Sequence, residues 1–230
     1  MFSDFDFRVI FSSLRYLFLE GMTFTLALTA LAAVGGVILG TLIALMRLSS
    51  VPLLPQLAKL YVNLMRSLPL VLVIFWFYFL VPFVGQWITG SSRPVQVGAL
   101  ASSLITFTLF EAAYFAEIMR AGIQSIPQGQ RLAASALGLT YWQTMSNVIL
   151  PQAFRNMLPV LLTQTIVLFQ DTSLVYVLSI TDFLGAVTKV AQRDGRLVEM
   201  YLFAALVYFL ISFFASHLVR LLQSRVAIVR

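Results

Sequence analysis

Five long apolar stretches dominate this chain, each of a length that suits a bilayer better than a soluble core. They run from about Met22 to Met46, Leu60 to Val81, Val97 to Met119, Leu158 to Ile180 and Leu197 to Leu222. A hydrocarbon core of about 30 Å needs about 20 helical residues at about 1.5 Å each. Lipid offers the backbone no hydrogen-bond partners, so a spanning segment must satisfy its own N–H and C=O groups. Charged residues make up 10% of the 230, against roughly 25% in a soluble domain, too few to cover a water-facing surface. The expected fold is all-α: one polytopic membrane domain, residues 1–230, with five transmembrane helices.

The formal charge of +6 does not indicate nucleic acid, because the basic residues sit singly or in pairs at the ends of apolar runs rather than on one face. The chain has no Cys and a single His, His217. Disulfides, thiolate or His-cluster metal sites and a Cys nucleophile are excluded, and no Ser-His-Asp set can be argued from a single His near the end of the last span, which disfavours an intramembrane hydrolase. No G-x-x-x-x-G-K-[ST] loop occurs, so ATP binding by this chain in the usual way is not expected. The stretch Met1–Glu20 is too acidic and broken for a cleavable leader. Taking five crossings, nine basic residues, among them Arg47, Arg120, Arg131, Arg225 and Arg230, fall on one side and six on the other. The excess predicts an external N-terminus and a cytoplasmic C-terminus.

The segment from about residue 122 to 157 breaks the pattern. It is Gln-rich, has no acidic residue, and carries Pro127, Gly129, Gly138 and Pro151. Its apolar residues are too scattered to cross a membrane, yet it reads as helical. Ser125 is placed to cap a first short helix with Pro127 in its first turn, and Gly138 suits that helix's C-terminus. Thr140-x-x-Gln143 reads as a capping box for a second helix, which is expected to stop before Pro151.

Several residues stand out chemically. Ala32, Gly36, Gly40 and Ala44 recur every fourth residue in the first span, a small-x-x-x-small stripe that lets another helix approach. In the fourth span Gln164 and Asp171 lie seven apart, on nearly one side, with Gln170, Thr172 and Ser173 making the turn polar. An aspartate inside a membrane costs several kcal/mol (about 3) unless it faces water or a partner, so Asp171 is either a path residue or half of a helix-to-helix contact. Pro69 in Arg66-Ser67-Leu68-Pro69 is expected to kink the second span and expose carbonyls. Arg66 either snorkels outward or faces a cavity. Glu117 has Arg120 at salt-bridge spacing, while Glu111 has no local partner and is the better candidate for a pathway.

Together these stretches resemble the membrane subunit of bacterial ATP-driven (ABC-type) amino-acid importers. EAAYFAEIMRAGIQSIPQGQ (residues 111–130) followed by ALGLTYWQTMSNVILPQAFRNMLP (136–159) is similar to that family's cytoplasmic coupling loop, with Gly138 and Ile149-Leu150-Pro151 at its marker positions. RSLPLVLVIFWFYFLVP (66–82) and FQDTSLVYVLS (169–179) resemble its second- and fourth-helix signatures. The latter, with RDGRLVEM (193–200), is most similar to permeases for glutamate and aspartate. Leu132-Ala133-Ala134 stands where the family has Glu-Ala-Ala, so one carboxylate is missing, which points to a second, different permease supplying that contact.

The resemblance implies a type I importer permease in a bacterial inner membrane, with no cofactor and no catalysis of its own. The implied partners are ABC-type ATPase subunits, a second permease (a homologous chain or a second copy), an external amino-acid-binding protein and the lipid bilayer. Gln130, Arg131, Leu132, Ala133, Ala134, Leu137 and Gly138 are implied to couple to the ATPase, with Ala133, Ala136 and Leu137 on one packing side. Arg66, Glu111, Gln164, Asp171, Thr172 and Ser173 are the candidates for the substrate path. A permease for glutamine or arginine is the near alternative. An ion-coupled carrier is the more distant one, disfavoured by an odd number of spans without inverted halves.

Overall fold

A computed structural model describes residues 6–226; Met1 to Phe5 and the basic-tail Arg230 lie outside them. The helices are α1 (Arg8–Tyr16), α2 (Thr23–Arg47), α3 (Leu54–Ser67), α4 (Leu70–Thr89), α5 (Ala99–Gln124), α6 (Gln128–Ala136), α7 (Tyr141–Thr144), α8 (Leu150–Asp171), α9 (Phe183–Asp194) and α10 (Leu197–Val226). π-helical turns at Leu17–Met22 and Met145–Ile149 weld α1 to α2 and α7 to α8. A 3₁₀ segment, Thr172–Leu178, extends α8. Among the described residues five helical stretches are long and apolar enough to cross a membrane: Arg8–Arg47, Leu70–Thr89, Ala99–Gln124, Tyr141–Leu178 and Leu197–Arg225.

The chain wraps around α5. Ala112, Ala113, Phe115 and Ala116 are fully buried there, packed with Ile43, Ala44, Val62 and Leu161 of α2, α3 and α8. The small-residue stripe is the reason α2 comes so close. A Cβ on Gly36 would sit 3.0 Å from the Phe115 ring and 3.2 Å from the Glu111 Cβ, and one on Gly40 would sit 3.0 Å from the Ala112 carbonyl oxygen. Ala32 and Ala44 are buried at either end of the stripe. A second core gathers Leu28, Ile74, Phe107, Leu168 and Val175, and a third packs Leu17, Phe183, Val187 and Met200 of the Leu17–Met22 turn, α9 and α10.

The second crossing differs from the expected Leu60–Val81. The helix does not kink at Pro69 but stops: Leu68 is extended (φ −100°, ψ 139°), Pro69 precedes the new helix, and α4 begins at Leu70. The pyrrolidine ring clashes with a helical residue before it, which forces Leu68 out of the α region. Lys59 and Arg66 therefore belong to a separate helix, α3, and the apolar crossing is α4. Nor does Pro82 end that crossing, since α4 continues to Thr89, where Gly90 at φ 64° closes it.

Three local expectations also need correction. Ser125 is the C-terminal cap of α5 rather than the start of the next helix, and Pro127 is the residue before α6 rather than part of its first turn. The capping box at Thr140 and Gln143 forms, but its helix does not stop before Pro151. It widens into the π turn and runs on into α8, with Pro151 in the first turn of that helix. A proline ring clashes with the carbonyl four residues back, and the wider turn makes room for it. The helix α9 has no counterpart among the expected elements. Asp182 caps it, accepting hydrogen bonds from the Leu184 and Gly185 N–H groups at 3.0 and 2.9 Å.

Candidate functional site

Two regions gather the singled-out residues. The first lies inside the bundle where α3, α5 and α8 meet. Glu111 on α5 is fully buried, and the Gln164 side-chain amide on α8 donates to its carboxylate oxygens at 3.1 and 3.4 Å. That contact follows from antiparallel packing of the two helices, which also sets Gly122 against Met157. Tyr114, three residues beyond Glu111, presents its ring to the Arg66 guanidinium at 5.4 Å from the centroid. The break at Pro69 matters here, because it makes Arg66 the last turn of a short helix beside α5. Asp171 lies two turns beyond Gln164 on nearly the same side of α8, half-buried at the end of the helix, so Arg66, Glu111, Gln164 and Asp171 fall in one neighbourhood.

Thr172 and Ser173 do not join it. Thr172 is fully buried and its hydroxyl donates to the Phe169 carbonyl at 2.7 Å, a closure within its own helix turn. Ser173 lies on another face, in a groove with Gln170, Tyr208, Ser212 and Arg220. Tyr114 escaped the sequence reading. The available signal was an aromatic ring three residues after a buried carboxylate, on the same side of the helix. Glu117 pairs with Arg120 as its spacing suggested, and Arg47 of α2 joins the pair, which ties the end of α2 to α5.

The second region is α6 and its flanks. Gly138 takes φ 76°, a left-handed conformation that favours glycine. The Leu139 N–H bonds to the Ala134 carbonyl and the Gly138 N–H to that of Ser135, at 3.1 and 3.0 Å. This pair of bonds is a Schellman closure. Ala134 is buried against the body, whereas Gln130, Arg131, Leu132, Ala133, Ala136 and Leu137 face outward. Ile123 and Ile126 hold the base of this region against Ile149 and Ala153.

The chain is similar to known proteins along nearly its whole length. It is 54% identical over 224 residues to the glutamate/aspartate import permease protein GltK of Escherichia coli O6:H1, covering 97% of this chain and 99% of that one. It is 32% identical to the probable glutamine ABC transporter permease protein GlnP of Bacillus subtilis, covering 96% and 99%. Among solved structures, a chain of an amino acid ABC transporter crystallised with histidines superposes with a TM-score of 0.84 at 32% identity, covering 96% and 99%. Residues 36–228 match the family described as binding-protein-dependent transport system inner membrane component. Five apolar crossings, a break that brings Arg66 to Tyr114 and an outward-facing α6 are thus features of a multi-pass inner-membrane chain that belongs to the family of binding-protein-dependent transport system inner membrane components.

Proposed function

We propose that this chain is the permease subunit of an ATP-driven importer of acidic amino acids. A separate ATPase grips α6 from the cytoplasm, an external binding protein delivers substrate, and a second permease completes the path, which makes residues 1–230 a single permease domain. In this reading the N-terminus is external and the C-terminus cytoplasmic. The observation that carries it is the neighbourhood of polar and ionisable side chains, Arg66, Glu111, Gln164 and Asp171, inside the bundle, in a chain more than half identical to a permease named for glutamate and aspartate.

Arg66 offers a planar fork suited to a carboxylate, and the Tyr114 face holds its guanidinium without consuming its hydrogen-bond donors. Asp171 is placed for the substrate's ammonium group. Gln164 anchors Glu111, so α5 and α8 move as one body. Nucleotide-driven closure of the ATPase would rock that body and alternate access to the path.

Reconstituted uptake of labelled glutamate is the test, with aspartate, glutamine and arginine as competitors. Inhibition by aspartate and indifference to arginine are expected; absence of ATP-dependent uptake of labelled glutamate would defeat the acidic assignment. A cationic substrate is the second reading, favoured by the presence of two carboxyl groups, Glu111 and Asp171, and one guanidinium, Arg66, in this region, and competition by arginine would select it. Because the chain has no Cys, a single Ser135→Cys variant reports sidedness directly. Labelling from outside intact cells would overturn the orientation.

A further inference from the structure

The first crossing is longer than a bilayer needs. Arg8 to Arg47 is one helical stretch of 40 residues, about 60 Å at about 1.5 Å per residue, whereas the hydrocarbon core is about 30 Å thick. A tilt of about 40°, the steep end of the observed range, still leaves about 46 Å. The 25 residues of α2 span the core by themselves. Because Arg47 at the far end of α2 is tied to Glu117 of α5, α1 is left at the membrane surface opposite α6. It is fastened there to the start of the last crossing. Ile10, Ser13 and Leu17 are buried, Arg193 at the end of α9 donates to the Ser13 hydroxyl at 3.5 Å, and the Phe18 and Phe203 rings lie 6.5 Å apart.

Another flank of α1 is apolar and open. Phe7, Phe11 and Leu14 recur at steps of four and three residues, on one side of the helix, and Phe11 is 72% exposed. With Leu202, Phe203 and Leu206 of α10 they line a groove of about 560 Å³. The groove opens onto an exposed stripe of α10, in which Leu206, Leu210, Phe214 and Leu218 follow at four-residue steps down the crossing. An apolar slot that begins at the membrane surface and continues along a spanning helix is continuous with hydrocarbon.

The rim of the groove is cationic. Arg8 and Arg15 are seven residues apart, so they share one side of α1, on the edge next to Phe11. Both are exposed, and among the described residues no carboxylate pairs with either. Glu199 also borders the groove, but it is buried and paired with Arg196 at 3.2 Å, which offsets its charge. Short helices with a basic edge and an aromatic face lie in the membrane interface and attract anionic lipid. We propose that α1 and the start of α10 form a binding site for an anionic glycerophospholipid, with one acyl chain in the groove and its phosphate held by Arg8 and Arg15. The site is independent of which substrate the chain carries. Lipid in the groove would cover the exposed Phe11 and brace α1, and through α1 the junction of α9 with α10.

Native mass spectrometry of the purified chain with its co-isolating subunits, titrated with phosphatidylglycerol or with phosphatidylcholine of the same acyl chains, tests the site. The wild type is expected to retain phosphatidylglycerol in preference to phosphatidylcholine. A double variant, Arg8→Gln with Arg15→Gln, should bind phosphatidylglycerol about 25-fold more weakly, about fivefold for each guanidinium, and bind phosphatidylcholine as before. Leu206→Trp, which fills the slot, should weaken both lipids. Equal retention of the two lipids by the wild type, or a preference that survives the double variant, would overturn the proposal. Phe11→Cys is then the only cysteine of the chain, and with a photoreactive thiol label in nanodiscs it should crosslink to lipid. Crosslinking to a second permease instead would assign the groove to that partner and overturn the lipid site.

Discussion

The contact between α2 and α5 can be tested by filling it. A Cβ on Gly40 would stand 2.9 Å from the Phe115 Cβ, 3.0 Å from the Ala112 carbonyl oxygen and 3.1 Å from the Ala116 nitrogen. None of these atoms can swing aside by a rotamer change, because two are backbone and the third is fixed to it. Gly40→Leu therefore forces the helices apart by several tenths of an ångström, and the close approach along Ala32, Gly36 and Ala44 loosens with them. Overpacking costs about 1 to 3 kcal/mol and more for a side chain this large. Replacing a helical glycine returns about 0.8 kcal/mol, so a net loss of about 2 kcal/mol is expected. In a chain of this length that lowers Tm by about 4 to 8 °C. Gly129→Leu is the control, since nothing lies within 4 Å of a Cβ there. Thermal melts of the purified protein in detergent would measure both. Equal Tm values for Gly40→Leu and wild type would refute the claim that this stripe sets the helix separation.

Arg66→Lys retains the charge but loses the planar fork and its stacking on Tyr114, so uptake should show a KM raised about tenfold with the protein still assembled; unchanged kinetics would remove Arg66 from the path. Asp171→Ala should impair uptake more than membrane assembly, and normal uptake would leave Asp171 a packing role only. Gly138→Asp should insert normally but uncouple ATP hydrolysis from uptake, because it disturbs the left-handed turn behind α6; intact coupling would dismiss that segment as the lever. Burial pushes the Asp182 carboxyl up to about 6 despite its two N–H donors. An acid whose folded pKa lies above its ordinary value of about 4 makes the fold less stable as pH rises through about 4 to 6. Asp182→Asn should flatten that slope in melts taken across the interval, and parallel slopes for both proteins would refute it.

Much of the architecture was legible because lipid is a demanding solvent. A run such as Leu197 to Leu222 has no alternative to a spanning helix, and local chemistry foretold the capping box at Thr140 and the left-handed turn at Gly138. Where the chain was misread, a local signal was misjudged or competed with packing. Pro69 suggested a kink, whereas its ring forces Leu68 out of the helical region and ends the helix outright. Pro151 suggested a stop, whereas a π turn held by Ile123 and Ile126 carries the helix past it. The carboxylate of Glu111 could be singled out from residue type alone, but not its partner, which lies 53 positions away on another helix.

What the sequence by itself determined is the solvent and the number of crossings, since hydropathy and length act locally and additively along the chain. Which polar groups meet and which side of α6 faces outward depend on helix register and rotation. Those are decided by close packing between segments distant in sequence, and they exist only once the bundle has formed.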